Sequence, residues 1–369
     1  MRTDLSFGVE EEFLVVDPLT RAVVPRAAEV IRRAKASLGD RVAPEITHMQ
    51  VEVRTEPCVT AAGLHDQLRE GRETLAVSAA AAGLAVIASG SAILGSVAPA
   101  AMTEGPRQDR GNETFRALHD EVTICAAHVH VEMPDRERAL LVGNHLRPHL
   151  PTLIALTANS PYWAGRDTGY ASWRTLTCAR WPVAGPPPFF ASEAHYDDVV
   201  GALLAAGALV DEGTIFWDIR PSAHLPTLEI RATDTPLTAT DTALLAVLVR
   251  ALAATALRLV ERGDPGPRIP AEILRAAYWR AARDGLEGHA LDVLTGRLAP
   301  AADLVRQSVA YAAAALGPDL GLVTGWLDQL TAGGSGAARQ RRAGADGDLV
   351  AVVDYLVGMT AGRAVLPLG

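Results

Sequence analysis

Charged side chains recur at every second position in several short stretches of the sequence. Residues 7–16 read FGVEEEFLVV, and a strand with this sequence would place Glu10 and Glu12 on one face and Glu11 on the other. In QVEVRTEPC, Glu52 lies between two valines and would point away from them. Burying an unpaired carboxylate costs free energy, so these faces must be exposed to solvent or must lie against a positive charge.

Two further stretches repeat the pattern. In AAHVHVEMPD, His128, His130 and Glu132 would share a face, with valines on the other. In TLEIRATD, Glu229 and Arg231 would share a face. The polar side of these strands is almost entirely Glu, His and Arg, whereas an ordinary half-exposed sheet mixes Thr, Lys, Ser and Gln.

Such a set of side chains predicts a site for a divalent cation and phosphate. Clustered carboxylates raise one another's pKa unless a cation neutralises them. Many oxygens with few nitrogens favour Mg²⁺, or Mn²⁺ in its place, over Zn²⁺. Mg²⁺ commonly bridges to phosphate oxygens, and guanidinium groups bind phosphate through paired donors; Arg220, Arg231 and either Arg166 or Arg174 are the candidates. Metal with arginine on a sheet is typical of phosphoryl transfer.

The elements that must position these residues are a mixture of strands and helices. The patterns predict strands at 6–17, 50–55, 85–93, 123–133, 214–220 and 227–233, and helices at 61–84, 137–158, 240–262, 271–284, 300–316 and 348–360. Strict β-α-β alternation is absent. Hairpin-like spacing of 214–220 and 227–233 favours an α+β fold with an antiparallel sheet.

Three segments are predicted to be loops. Residues 95–114 and 180–192 are rich in Pro and Gly and are either lids or plain connectors. Residues 331–348 carry Arg339, Arg341 and Arg342, and this basic loop either reaches a phosphate or is simply solvated.

Composition restricts the class of protein. The chain has 369 residues, 49% of them hydrophobic, and a net charge of −9, which argues against nucleic-acid and membrane partners. We expect a single catalytic domain spanning 1–369, with no secretory signal at the start. Three scattered cysteines argue against a disulfide framework and favour a cytoplasmic location. The oligomeric state is open, a homo-oligomer included.

Several common catalytic motifs are missing from the sequence. It contains no P-loop, no G-x-G-x-x-G after a strand and no G-x-S-x-G nucleophile elbow. The residues alone indicate phosphoryl transfer at a metal–phosphate site. Two rival activities are a small-molecule phosphotransferase of the guanido-kinase type and a metal-dependent hydrolase that uses the H-V-H pair.

Six ordered motifs resemble the carboxylate–amine ligase family related to glutamate–cysteine ligase type 2. They are GVEEEFLVVDP, QVEVRTEPC, HVHVEMPD, ANSPYWAGRDTGYASWR, FWDIRPSAHLPTLEIRATDT and GGSGAARQR, and they span about residues 6–357. The resemblance implies an antiparallel cradle like the catalytic domain of glutamine synthetase or guanido kinases. It also implies ATP and Mg²⁺, and activation of a glutamate side-chain carboxylate as an acyl phosphate that cysteine or another amine attacks.

The resemblance also assigns roles to residues. It implies Glu10, Glu12, Glu52, His128 and Glu229 as metal ligands, with Glu45 as a further acidic candidate. It implies that Arg231 reaches the transferring phosphate and that Arg220 and Arg174 support phosphate or substrate carboxylate, while Arg339 is a further nucleotide-binding candidate from the late basic segment.

The chain departs from the family pattern at three places. Glu132 stands where a glycine is usual, Glu56 separates Thr55 from Pro57, and SGSAILGS at 89–96 lacks a histidine. We hypothesise that Glu132 or the segment 89–96 reshapes the pocket for the amine acceptor.

Overall fold

An antiparallel sheet of seven strands forms the centre of the protein. A computed structural model describes residues 5–363, and the strand order is β10-β11-β5-β1-β3-β2, with β4 also pairing with β1. The strands are β1 (Phe7–Val16), β2 (Val42–Pro44), β3 (Gln50–Arg54), β4 (Ala85–Ile87), β5 (Ala126–Glu132), β10 (Ile219–Pro221) and β11 (Thr227–Asp234). The predicted α+β class with an antiparallel sheet is confirmed.

Short strands outside this sheet form three pairs. They are β6 (Tyr162–Trp163) with β7 (Arg166–Asp167), β8 (Ala184–Gly185) with β9 (Phe216–Trp217), and β12 (His289–Asp292) with β13 (Arg297–Pro300).

Helices cover one face of the sheet and its edges. The first seven are α1 (Ala27–Leu38), α2 (Ala61–Ala81), α3 (Pro106–Phe115), α4 (Ala117–Asp120), α5 (Arg136–Leu146), α6 (Leu150–Thr157) and α7 (Trp173–Cys178). The others are α8 (Glu193–Ala205), α9 (Ala239–Val260), α10 (Ala271–Asp284), α11 (Ala301–Leu316), α12 (Leu320–Gly333), α13 (Gly336–Ala343) and α14 (Leu349–Thr360).

Helix α9 lies at the centre of the main hydrophobic core. Nearly all its residues from Thr242 to Leu257 are buried, against the apolar side of β1 and β5 and against α2, α5, α11 and α12. By length and composition this helix could cross a membrane, but 83% of its most apolar stretch lies inside the protein. Such burial is typical of the central helix of a packed core.

The sequence predicted several boundaries incorrectly. The predicted helix 137–158 is two helices, α5 and α6, separated by a 3₁₀ turn at Arg147–His149, because the prolines at 148 and 151 lack the N–H group that a continuous helix needs. The predicted strand 85–93 ends at Ile87, and 214–220 is divided between β9 and β10. As predicted, the latter part pairs with β11, with Ile219 opposite Ile230.

Two of the predicted loops contain helices. Helix α3 begins within 95–114 and ends at Phe115, and α13 lies within 331–348. Helix α3 begins with Pro106 after Gly105, and proline is favoured in the first turn because its missing N–H has no partner there in any helix. The sequence analysis read this start signal as a loop. Helices α1, α4, α7, α8 and α12 were not predicted either.

Candidate active site

The sheet face opposite α9 carries the charged side chains predicted from strand alternation. Antiparallel pairing places Glu10 of β1 opposite His128 of β5, and Glu12 opposite Glu52 of β3. Glu229 of β11 pairs with His130, the next residue on the same face of β5. Strands β3, β1, β5 and β11 are adjacent, so the five predicted metal ligands Glu10, Glu12, Glu52, His128 and Glu229 meet in one group, here called the carboxylate–histidine cluster.

The cluster contains two overlapping groups of three ligands that share His128. In each group, Glu10–His128–Glu229 and Glu12–Glu52–His128, one ligand atom per residue lies within 4.8 Å of the others. His128 Nδ1 lies 3.3 Å from Glu10 Oε2, and its Nε2 lies 3.7 Å from Glu12 Oε1. Four carboxylates around one imidazole match the oxygen-rich sites of Mg²⁺ or Mn²⁺.

The carboxyl groups of the cluster divide into two electrostatic classes. Burial disfavours the charged form of Glu229, but Arg231 and Arg220 outweigh it and hold the pKa of that carboxyl well below its usual range. Burial likewise acts against Glu10, yet hydrogen bonds with His128 and His130 lower its pKa. These two carboxylates are ionised whether or not a metal is bound.

The other carboxyl groups lack sufficient positive charge. Burial and repulsion from Glu52 raise the pKa of Glu12 to about 7. Burial and repulsion from neighbouring carboxylates raise the pKa values of Glu52 and Glu45 to about 8. Buried acids held this close together are stabilised by a bound cation, so the residues present fit a divalent metal.

The protonation state of His128 suits a metal ligand. Its side chain is almost fully buried, and burial together with the nearby Arg231 lowers the pKa of the imidazole to about 4. The ring is therefore neutral at physiological pH, which is the form that binds metals.

Arg231 and Arg220 flank the cluster through Glu229. Arg231 forms an ion pair with Glu229 on the same face of β11, and Arg220 Nε of β10 lies 2.8 Å from Glu229 Oε2. Both guanidinium groups line the same open cleft as Glu10 and Glu52. They are therefore placed where an anion bound beside the cluster would meet them.

Arg174 is directed at the backbone rather than at an anion. Strand β11 has an irregularity between Ile230 and Thr233, where its register with β5 shifts. Arg174 of α7 donates from Nη2 to the Arg231 carbonyl at 2.9 Å and from Nη1 to the Ala232 carbonyl at 3.3 Å. Arg174 Nε has no hydrogen-bond partner among the described residues and is free for another ligand. The predicted contact of Arg174 with phosphate or carboxylate stays a prediction, since two of its five N–H groups are used by the backbone.

Arg339 lies in a different environment from the cluster. Its Nη2 is 2.6 Å from Asp241 Oδ2 in the first turn of α9, and it lines neither of the two cavities described below. Its predicted contact with a nucleotide stays a prediction without geometric support. Arg166, the alternative to Arg174, is exposed and stacks over the ring of Trp173.

Glu11 faces away from the cluster, as the alternation predicted. Arg72 of α2 holds it with two hydrogen bonds, of 2.5 Å to Oε1 and 3.1 Å to Oε2, and Thr242 donates to Oε1 at 2.6 Å. Arg72 also donates to the carbonyls of Pro236 and Leu237. The buried Glu11–Arg72 pair therefore ties β1 and α2 to the start of α9.

Two cavities meet at the cluster. The outer cleft, of about 630 Å³, is lined by Glu10, Glu52, His130, Arg220 and Glu229 and extends along α3 and α4. The inner cavity, of about 60 Å³, lies further in and is lined by Glu12, Gln50, Arg174, Asp218 and aromatic side chains. Both include Glu45, His128, Trp181, Phe216 and Arg231. The outer cleft has the volume of a nucleotide-sized ligand site.

The sequence analysis missed three residues that the structure places here. Arg54 Nη2 lies 2.5 Å from Glu52 Oε1, and its Nε lies 3.6 Å from Glu10 Oε1. Gln50 and Asp218 line the inner cavity. The sequence did contain a pattern that could have found them. Gln50 and Arg54 are each two residues from Glu52 on β3, and Asp218 is two residues from Arg220 near β10, so alternation predicts that they share a face with these residues.

The positions that depart from the family pattern are also located. Glu132 Oε2 accepts a hydrogen bond of 2.8 Å from the Ser6 hydroxyl. Ser89 and Ser91 are buried, and Ser91 donates to the Tyr162 carbonyl. Neither Glu132 nor residues 89–96 line the outer cleft or the inner cavity, so their predicted effect on the acceptor pocket stays a prediction.

Comparison with known proteins identifies the family of this chain. The model of glutamate–cysteine ligase family 2 matches residues 6–354. This chain belongs to glutamate–cysteine ligase family 2. A relative from Nocardia farcinica, named "Putative glutamate–cysteine ligase 2-1", is 45% identical over 95% of this chain and 91% of its own length. A relative from Mycobacterium sp. strain KMS, named "Putative glutamate–cysteine ligase 2-2", is 44% identical over 96% of this chain and 98% of its own.

Solved structures of ligases share the fold of this family member. A bifunctional glutathione synthetase from Pasteurella multocida has a TM-score of 0.71 at 14% identity, covering 97% of this chain and 53% of that one. A glutamate–cysteine ligase from Francisella tularensis, solved in complex with AMP, has a TM-score of 0.70 at 9% identity, covering all of this chain and 90% of that one. At these identities the likeness concerns the fold, and it agrees with the predicted cradle.

Proposed function

We propose that this member of glutamate–cysteine ligase family 2 is an ATP-dependent carboxylate–amine ligase that forms a γ-glutamyl amide. The acid substrate is glutamate and the acceptor is cysteine or another amine, in a cytoplasmic setting. One observation carries the proposal. The carboxylate–histidine cluster lies where a nucleotide-sized outer cleft meets a smaller inner cavity, with Arg231 lining both.

The cluster would hold divalent cations between its two groups of ligands. Glu10, His128 and Glu229 would form one set of ligands, and Glu12, Glu52 and His128 the other, with Glu45 close by. Mg²⁺ or Mn²⁺ bound there would neutralise phosphate oxygens of ATP as charge develops during phosphoryl transfer.

The protein's own residues position the reactants. Arg231 and Arg220 bind phosphate oxygens in the outer cleft, with Glu229 holding both guanidinium groups in place through ion pairs. The glutamate side-chain carboxylate attacks the γ-phosphorus, the bond to ADP breaks, and an acyl phosphate forms at the inner cavity. The neutral amine then attacks the acyl carbon, the bond between that carbon and the phosphate oxygen breaks, and the nitrogen passes one proton to the departing inorganic phosphate. The inner cavity is walled by Ile46, Val122, Ile124, Trp181 and Phe216, which limit access of water to the acyl phosphate.

Turnover with defined substrates tests this proposal. The protein is incubated with ATP, Mg²⁺ and glutamate, with and without cysteine or a panel of amines, and ADP and products are quantified by mass spectrometry. We expect amine-dependent ADP release and a γ-glutamyl product. Glu52→Gln should lower this turnover about 100-fold, since it removes a ligand. The exposed Asp303→Asn serves as a matched control.

Other outcomes would identify a different activity. A phosphorylated product that accumulates without any amine would identify a phosphotransferase, and hydrolysis without ATP would identify a metal-dependent hydrolase. Either result contradicts the ligase proposal.

A further inference from the structure

A large cavity lies among the helices, between the turn that joins α5 to α6, the end of α9, helix α11 and the β12–β13 hairpin. It has a volume of about 540 Å³, which is in the range of small-molecule sites, and it is here called the hairpin cavity. No residue that lines it also lines the outer cleft or the inner cavity. Its polar lining includes His145, His149, Asp264, Asp292, Ser308 and Tyr311.

Part of the wall of the hairpin cavity is apolar. Leu291 and Leu304 line it, and the rings of His149 and Tyr311 lie with their centroids 5.4 Å apart at an angle of 33°. Leu294, in the turn of the hairpin, also lines the cavity and is 62% exposed, and Tyr311 is exposed as well. A flat apolar group bound in the cavity would remove this surface from water.

The charged groups in the wall are carboxylates. Asp264 and Asp292 line the hairpin cavity, and within residues 5–363 no lysine or arginine lines it or lies within ion-pair distance of either carboxylate. The N–H group of Leu294 donates to Asp292 Oδ1, and that of Gly266 donates to Asp264 Oδ1. Within the same residues, Asp264 Oδ2 accepts no hydrogen bond. A cavity lined by one sign of charge concentrates ligands of the opposite sign.

His149 contributes a neutral hydrogen-bond acceptor. Its Nδ1 lies 3.0 Å from Ser308 Oγ, and the single hydroxyl hydrogen of Ser308 is donated to the Leu304 carbonyl at 3.1 Å. Nδ1 must therefore carry the ring hydrogen, which leaves Nε2 as an acceptor. Nε2 has no hydrogen-bond partner in the described part of the chain. Burial, together with the nearby His145, lowers the pKa of His149 to about 4, so the ring is uncharged at neutral pH.

A single metal ion does not match this arrangement. In the described residues, groups of three ligand atoms that lie within 4.8 Å of one another occur in the carboxylate–histidine cluster, and His145, His149 and Asp264 form no such group. Their acceptor atoms are too far apart to be bridged by one ion. An organic cation is larger, and its separate N–H donors can reach separate acceptors.

An amine attached to an aromatic body matches the lining of the hairpin cavity. Its ammonium group has three donors, which can serve the Asp264 carboxylate and His149 Nε2. Its ring can lie against the leucines and Tyr311. A carboxylic acid of the same shape would be repelled by two carboxylates that have no cationic partner, and a neutral analogue would gain only the apolar contacts.

We propose that the hairpin cavity is a second ligand site that binds an aromatic amine as its cation, with Asp264 and His149 accepting hydrogen bonds from the ammonium group and Leu294 and Tyr311 covering the ring. The site shares no lining residue with the outer cleft or the inner cavity, so this inference does not depend on the proposed ligase function.

Three ligands with the same ring and different charges test the proposal. Tryptamine, indole-3-acetamide and indole-3-acetate are each titrated into the full-length protein at neutral pH, and the binding is measured by calorimetry. We expect tryptamine to bind about tenfold or more tightly than the neutral amide, because it adds a charge-assisted hydrogen bond. The anionic indole-3-acetate should bind more weakly than the amide.

Substitutions in the lining separate the contribution of charge from that of apolar contact. Asp264→Asn should weaken the binding of tryptamine about tenfold and change that of the amide by less than about twofold. His149→Phe keeps a flat ring but removes the acceptor, so it should also weaken tryptamine selectively. Leu294→Ser should weaken both ligands by the same factor, since it removes apolar contact. Asp303→Asn is the matched control, because this exposed carboxylate of α11 does not line the cavity.

A thermal unfolding scan shows whether each variant is folded. Asp264 and Leu294 are exposed, so their variants keep the test decisive if His149→Phe fails to fold.

The outer cleft is also acidic and is the rival site for a cation. Glu52→Gln changes that cleft and should bind tryptamine as the wild type does. Loss of tryptamine binding in Glu52→Gln would place the amine in the outer cleft and overturn the proposal. Equal affinities for the three ligands, equal affinities of Asp264→Asn and Asp303→Asn for tryptamine, or no saturable binding to the wild type would overturn it as well.

Discussion

Two glutamates of the carboxylate–histidine cluster have opposite effects on stability, although both are buried. Glu229 has two arginine partners, so its carboxylate compensates two buried positive charges. Among residues 5–363, the hydrogen-bond donor to the Glu12 carboxylate is the Ala126 N–H, and Glu52 repels this carboxylate. Of these two predicted metal ligands, Glu229 therefore also stabilises the fold through its ion pairs, whereas Glu12 destabilises the metal-free fold when it is ionised.

Neutralising each of these glutamates tests that difference. Glu229→Gln should destabilise the protein by about 3–5 kcal/mol, because Arg220 and Arg231 lose their charged partner. Glu12→Gln should stabilise the metal-free protein by about 1 kcal/mol at pH 8, because repulsion is removed while the hydrogen bond from Ala126 can remain. Both should lose ligase turnover about 100-fold. Urea unfolding followed by circular dichroism measures the stabilities, and destabilisation by Glu12→Gln would contradict this account.

Metal binding should depend on pH through the same carboxyl groups. The pKa values of Glu12 and Glu52 are raised to about 7 and about 8, and metal binds the ionised forms. Affinity for Mg²⁺ should therefore rise from pH 6 to pH 8, with release of about one to two protons per protein at pH 7. Titration calorimetry in buffers of different ionisation enthalpy counts these protons. Binding without proton release would be inconsistent with the raised pKa values.

The stability of the metal-free protein should change in the opposite direction. The unfolded glutamates ionise near pH 4.5, whereas Glu12, Glu45 and Glu52 stay protonated in the folded protein up to about pH 7–8. The folded state thus binds more protons than the unfolded state between these limits, and stability falls as the pH rises through them. Saturating Mg²⁺ should reverse this loss.

At the scale of elements, the irregularity in β11 determines where Arg231 points. Two residues of β11, Arg231 and Ala232, fall between the regular pairs Ile230–Val129 and Thr233–Ala127, so the strand bends there. The carbonyl groups freed by this bend accept hydrogen bonds from Arg174, and the Arg231 N–H donates to the Asp218 carbonyl at 2.7 Å. Arg174 of α7 therefore fixes the backbone of β11 at Arg231, and with it the orientation of the Arg231 side chain.

A lysine in place of Arg174 tests this positioning. Arg174→Lys keeps the positive charge but cannot donate to both carbonyls from one planar group. We expect kcat to fall about tenfold or more with a small change in the KM for ATP, because Arg231 loses its alignment rather than its charge. Wild-type kcat in a folded Arg174→Lys variant would show that charge alone is needed.

The alternation of side chains made part of this site predictable from sequence. Successive side chains of a strand point to opposite faces, and this alternation correctly placed Glu10 and Glu12 on the face opposite Glu11. It also correctly placed Glu10 and Glu12 beside His128 of β5. The use of Arg174 by the backbone was unpredictable, since it depends on a shift in register that no local pattern reveals. Helices α3 and α13 were missed because their glycines and prolines also occur in loops.

At the scale of the whole molecule, one hydrophobic cluster joins distant parts of the chain. It contains side chains from Leu5 near the start of the described residues to Leu330 on α12, with α9 at its centre. The sheet and the helices behind it therefore share a core, which supports the expectation of a single domain.

Calorimetric unfolding tests this expectation. A shared core predicts one cooperative transition, with the calorimetric and van't Hoff enthalpies equal within error. Adding Mg²⁺ with ATP should move that transition to higher temperature as a whole, since ligand binding stabilises the folded state of the cooperative unit. Two resolved transitions, of which only one responds to the ligands, would show that the chain folds as two units.

The buried pair of Glu11 and Arg72 has a consequence for how the sheet assembles. Residues 10–12 of β1 are all glutamates, so their side chains are identical on the two faces of the strand. A shift of the strand by one residue would expose Val9 and Phe13 and would bury Glu10 and Glu12 in the apolar core. Among the described residues, Arg72 is the guanidinium that pairs with a carboxylate of β1 on that face, so the misaligned strand would leave a second buried acid without a counter-charge. The Glu11–Arg72 pair therefore favours the strand alignment that keeps Glu10 and Glu12 on the face of the carboxylate–histidine cluster.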